Sequence, residues 1–146
     1  MCAGLKQFLL ILVVIEEMSS GSPLTAFNIM LVRFFEELRD TFSEERDIRV
    51  ALEYIQNARK INPRLILDLY MENVAKPLRE AIANEDAGAI VVYAREKANG
   101  QYNQIMPALS IFDRHWAELA DSNRNAIWKY MKVLIILSDK AQVNRV

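Results

Sequence analysis

Cysteine is nearly missing from this chain of 146 residues: Cys2 is its one thiol. An intrachain disulfide is therefore excluded, and a reducing compartment is permitted. Glycine and proline are scarce, four of each. That composition excludes collagen-like and low-complexity classes, and it leaves too little glycine for a phosphate-cradling loop. His115 is the single histidine, and no Glu-x-x-His unit accompanies it to build a metal centre in a bundle core. Charge of one sign is missing too. The formal net charge is -1, so no strong field draws in nucleic acid or anionic lipid. The apolar run Phe8 to Ile15 is too short to span a bilayer as a helix.

What is present is apolar and helical. Hydrophobic residues make up 52% and charged residues 25%, the balance of a folded domain rather than a disordered chain. The length suits one domain able to bury a core without staples.

Residues 1–17 stand apart from the rest as an apolar leader. With Lys6 before it and Ser19-Ser20-Gly21-Ser22 after it, the run has the proportions of a signal peptide, but Glu16-Glu17 occupies the cleavage region. Translation starting at Met18 and a strand or core segment over residues 5 to 15 are the other two readings, and periodicity does not separate them. Residues 18–146 read as a single helical domain.

From Ser22 onward helix follows helix. Ser22 caps and Pro23 takes the first helical position, with Phe27, Met30, Leu31, Phe34, Phe35 and Leu38 forming an apolar stripe. Ser43 is expected to open a second helix with Glu44 and Glu45 in its first turn and Ile48, Ala51, Leu52, Ile55 and Ala58 on its inner face. Asn62-Pro63 ends that helix and starts a third, with Leu65, Ile66, Leu69, Tyr70 and Val74 inside. Pro77 predicts a kink or break near Val74 to Lys76, and Leu78 to Ala83 resumes as a short helical turn. Asn84-Glu85-Asp86 reads as a fresh cap leading through Tyr93, and Ala98-Asn99-Gly100-Gln101 as a loop.

The last quarter is the clearest part. A helix opening near Pro107, with Leu109, Phe112, Trp116 and Leu119 on one face, is followed by Asp121-Ser122-Asn123 and a final helix. Ser122 is the expected cap of that helix. Its Ile127, Trp128, Met131, Leu134, Ile135 and Ser138 face inward, and Val133, Ile136 and Leu137 widen the arc enough to make it central. The expected fold is all-α: a compact bundle of about five to six helices ending in a Trp-bearing helical hairpin.

Candidate chemistry is thin. His115 in Asp113-Arg114-His115-Trp116 has no nucleophile and orienting carboxylate to complete a catalytic set, and reads as a surface or half-buried helix histidine. The pairs Glu16-Glu17, Glu36-Glu37, Glu44-Glu45 and Glu85-Asp86 read as first-turn charge and solvated faces, since adjacent helix residues point about 100° apart. No catalytic residue, cofactor site or metal ligand is assigned. Arg59, Lys60 and Arg64 at a helix junction, and Lys129 with Lys132 on the last helix, are the weak candidates for nucleic-acid contact, diluted by acidic neighbours and without a stacking array.

Several landmarks carry a resemblance. They are Phe34-Phe35-Glu36-Glu37-Leu38 before an acidic loop, Ile61-Asn62-Pro63-Arg64-Leu65, Val74-Ala75-Lys76-Pro77, Ile82-Ala83-Asn84-Glu85-Asp86, Trp116, and Asn125-Ala126-Ile127-Trp128-Lys129-Tyr130-Met131 followed by Leu134. Over roughly residues 31–141 the chain resembles a group of short all-helical proteins of unknown function encoded by large DNA viruses of algae and protists. It departs from them at Ala89, Ile90 and Val91, where members carry aromatics, and its first 17 residues have no counterpart. The resemblance implies a viral origin, a helical fold and a place in the host cytoplasm or virion, and it transfers no site residues. The expected function is non-catalytic, an interaction or structural protein with a viral or host protein as partner. Nucleic acid and membrane are disfavoured as partners, and a homo-oligomer is permitted. The suspected interaction faces are those of the first and third helices, through exposed Phe or Tyr. A nucleic-acid accessory factor and a small enzyme with an unrecognised site are the alternatives, the latter to be revived by a deep pocket joining His115 to carboxylates of other helices.

Overall fold

The computed structural model describes residues 22–98 and 106–143. The apolar leader and Asn99-Gly100-Gln101 of the expected loop lie outside them. All regular structure among the described residues is helical: α1 Pro23–Thr41, α2 Arg46–Ile61, α3 Pro63–Tyr70, α4 Lys76–Ala83, α5 Ala87–Ala98, α6 Ile111–Arg114 and α7 Asp121–Val143. Shorter turns link them, a π-helical segment Met71–Ala75 and 3-10 segments Met106–Ser110 and Trp116–Glu118. No described helix is long and apolar enough to cross a membrane.

The α1 stripe does what its spacing dictates. Ser22 Oγ accepts from Thr25 N, with Pro23 in the first turn. Phe27, Met30, Leu31, Phe34, Phe35 and Leu38 are all buried, and α1 packs against α2, α3 and α7. Phe27 meets Tyr70 edge-on with ring centroids 5.2 Å apart, and Phe34 stacks on Tyr130 at 5.0 Å. These aromatics are core, so they supply no interface anchors, contrary to the expectation for helices one and three.

Two expectations for the next helices are corrected. The second helix begins at Arg46, not Ser43, with Glu45 at its N-cap making no side-chain cap bond. The inner face of α2 is nevertheless the expected one. On α3 the buried set is Ile66, Leu67 and Tyr70, while Leu65 is 39% exposed. The start of α3 is tied to α1, whose Asn28 Nδ2 donates to the Pro63 carbonyl at 3.3 Å.

The segment from Pro107 to Leu119 is not one helix. It is a 3-10 turn, the four-residue α6 and a second 3-10 turn. Arg124 explains the late break: its guanidinium donates to the carbonyls of Trp116 at 3.0 Å and Ala117 at 2.9 Å, replacing the donors that a continued helix would supply. The last helix starts at Asp121, and the Ala120 carbonyl accepts from Asn123 N and Arg124 N. Ser122 is therefore an exposed first-turn residue and not the cap. The hairpin itself stands, with Phe112, Trp116 and Trp128 rings 4.7 to 5.6 Å apart. Leu137 is buried and Val133 half-buried, but Ile136 is 54% exposed, so α7 keeps an open edge.

Pro77 produces neither a break nor a free carbonyl. The Lys76 N–H reaches back five residues to Met71 O, which makes the turn π-helical. Pro77 has no N–H for the Asn73 carbonyl four residues behind it. Tyr93 Oη of α5 donates to that carbonyl instead, at 2.6 Å, and burial raises the Tyr93 pKa. Tyr93→Phe is expected to lower stability by about 1 kcal/mol in urea titration, because it strips a part-buried carbonyl of its donor.

Glu85 closes α4 in the left-handed region, φ 53°. Asp86 N donates to Ala81 O and Glu85 N to Ile82 O, the helix-ending pair of bonds usually built on glycine. Asp86 then caps α5 by accepting from Ala89 N at 3.1 Å.

Candidate functional site

Two places on the molecule gather side chains that the core does not use. The first is the α2–α3 junction. Because Asn62-Pro63 must leave one helix and enter another within two residues, Arg59, Lys60, Ile61, Arg64 and Leu65 share a corner. Ile61 is 86% exposed there, against the usual fate of a large aliphatic side chain. Among the described residues no carboxylate forms an ion pair with Arg59, Lys60 or Arg64. Several other surface cations are matched: Arg79 grips Asp139 with two hydrogen bonds, Arg95 grips Asp113, and Lys76 meets Glu72. Those guanidiniums hold the Asp139 and Asp113 carboxyls below the usual carboxylate range.

The structure divides the sequence-level basic candidates. Arg59, Lys60 and Arg64 come together at the junction. Lys129 and Lys132 belong to α7, where Lys132 pairs with Glu85 at 2.5 Å and so clasps α7 to the end of α4.

The second place is the turn between α1 and α2. Phe42, buried, stacks on the His115 ring at 4.9 Å. His115 Nε2 lies 2.6 Å from Glu45 Oε1, across 70 residues of sequence. Arg114 Nη2 sits 2.9 Å from Glu45 Oε2 and 3.6 Å from Asp47 Oδ2. Glu44 is exposed, and donor atoms of Glu44, Glu45 and His115 all lie within 4.8 Å of one another. The first-turn reading of Glu44-Glu45 is thus replaced by a tertiary one, invisible while His115 was a lone histidine far along the chain.

No family model, curated protein or solved structure matches this chain.

A small cavity of about 30 Å³ opens among Phe34, Leu38, Tyr70, Phe112 and Met131. It has room for a water molecule or two, its lining is apolar, and His115 is not part of it. Glu37 on α1 has a raised pKa, by burial and then by Asp40 and Glu36. Tyr130 is raised by burial and then by Glu37, and Tyr70 by burial in the core.

Proposed function

We propose that this protein is a non-catalytic interaction module whose α2–α3 corner docks an acidic, apolar-anchored segment of another protein. The observation that carries the reading is Ile61, 86% exposed at a junction whose sequence neighbours Arg59, Lys60 and Arg64 have no carboxylate partner among the described residues. An apolar anchor ringed by unmatched charge is the pattern of a hot spot with a steering rim. Charge complementarity sets the partner's sign, and the viral resemblance makes a viral or host protein the first class to test. Net charge of -1 and the engagement of Lys132 by Glu85 weigh against a nucleic-acid role.

The test compares affinity capture by the wild-type chain and by Ile61→Asp, with nuclease present and at two salt concentrations. The expected result is one nuclease-resistant protein whose affinity drops by about 2 kcal/mol, roughly 30-fold, in the variant and weakens with salt. Equal capture by both chains overturns the corner as the docking surface. Capture only of nucleic-acid proteins, lost with nuclease, would replace the reading with the accessory-factor alternative.

A further inference from the structure

We propose that Glu44, Glu45 and His115 form a binding site for a first-row divalent transition-metal ion of the Zn²⁺ class. The sequence assigned no metal ligand, because two adjacent glutamates and a histidine 70 residues away share no spacing motif. Folding brings one imidazole nitrogen and two carboxylate oxygens within 4.8 Å of one another, a span that a single ion with ligand bonds near 2.0–2.2 Å bridges with modest rotamer adjustment.

Three features make this more than acidic surface. The donor set is mixed, and an imidazole in it favours Zn²⁺, Co²⁺ or Ni²⁺ over Mg²⁺ and Ca²⁺, which take oxygen ligands. Two of the three ligands are partly desolvated and held in place. The Glu45 and His115 side chains are 14% and 21% exposed, and the Phe42 ring fixes the imidazole plane. Glu45 also stands at the N-cap of α2 without making a cap bond. Its carboxylate is turned away from the helix end, whose N–H groups attract anions, and toward the imidazole. With Glu44 exposed, the remaining coordination positions face solvent, so three protein ligands would be completed by water.

The charged groups facing the site are Asp47 and Arg114. Arg114 already neutralises one Glu45 oxygen and competes with an incoming cation, which sets affinity below that of a site without it. It also supplies a diagnostic: removing that guanidinium should tighten binding, an outcome that an unrelated surface site does not give. The role of the ion would be to clamp the α1–α2 turn onto the α6 segment.

The experiment uses untagged full-length protein carrying Cys2→Ser, so that the thiol is not read as the site. Zn²⁺ is titrated by calorimetry and Co²⁺ by visible absorption. The expected result is one ion per chain, Co²⁺ bands that saturate and are displaced by Zn²⁺, and no displacement by equal Mg²⁺ or Ca²⁺. Glu44→Gln, at an exposed position, should leave the circular dichroism spectrum unchanged and weaken binding about tenfold or more, at least the loss seen when a ligand's supporting group is removed. His115→Gln should do the same, and Arg114→Gln should strengthen binding. Absence of one-to-one binding, affinity unchanged in Glu44→Gln and His115→Gln, or equal displacement by Mg²⁺ would each overturn the proposal.

Discussion

Trp128→Ala is expected to lose about 3–5 kcal/mol of folding stability, a large share of the 5–15 kcal/mol typical of a domain. The Trp128 side chain is 5% exposed and meets two rings at once, Phe112 at 5.6 Å and Trp116 at 5.1 Å. Truncation removes the apolar area of the indole, two aromatic contacts and the filling of the space between α6 and α7. That space does not collapse easily, because Arg124 pins the Trp116 and Ala117 carbonyls and holds the partner segment in place. Ile136→Ala on the same helix is the control. Ile136 is 54% exposed, and its truncation should stay within about 0.5 kcal/mol. Urea unfolding followed by circular dichroism at 222 nm reports both, as a lower midpoint at unchanged slope for Trp128→Ala. A Trp128→Ala loss no larger than that of Ile136→Ala would mean the hairpin does not carry the core.

The second large effect appears in alkali. Tyr70 is buried, its hydroxyl has no hydrogen-bond partner among the described residues, and desolvation moves its pKa far above the ordinary 10. Tyr130 is displaced the same way, first by burial and then by the charge of Glu37, with Arg33 opposing. The sign follows from which state holds the proton. Above pH 10 the unfolded chain releases these protons while the folded chain keeps them, so stability is fully present below that pH and falls as pH rises beyond it. Each such tyrosine takes away about 1.4 kcal/mol per pH unit there. Tyr70→Phe should flatten that fall. At neutral pH it should also stabilise the protein by about 1 kcal/mol, since it removes a buried hydroxyl that satisfies nothing. The slope difference between wild type and Tyr70→Phe is the measurement to make. Parallel slopes, or a destabilised variant at neutral pH, would mean that the hydroxyl has a partner.

Much of the fold was legible because it follows local rules. The stripe from Phe27 to Leu38, the inner face of α2 and the cap-then-proline pairs at Ser22-Pro23 and Asn62-Pro63 need only helical periodicity and the chemistry of helix ends. Three of the departures share one cause, which is a side chain arriving from elsewhere. Arg124 cuts the helix after His115, Glu45 serves His115 instead of capping α2, and Tyr93 repairs what Pro77 leaves open. The junction cations were legible from Arg59, Lys60 and Arg64 themselves. The pairing of Lys132 was not, because it depends on Glu85 adopting a left-handed backbone that sequence assigns to glycine or asparagine. Glu44 and Glu45 looked like ordinary helix-start acids, and only the folded chain shows what they face.

The π-helical turn from Met71 to Ala75 has a consequence for descent. A π turn is an α-helix holding one residue too many, and its widened turn takes up the roughly 100° that an extra residue would otherwise add. The helix after it therefore stays in phase with the helix before it, and Leu78 and Ile82 of α4 are buried on the same side as Ile66 and Tyr70 of α3. A relative one residue shorter between Tyr70 and Lys76 would close the turn and keep the same apolar pattern from residue 76 onward. A relative of this length with a regular α-helix here would instead carry Leu78 and Ile82 off the core.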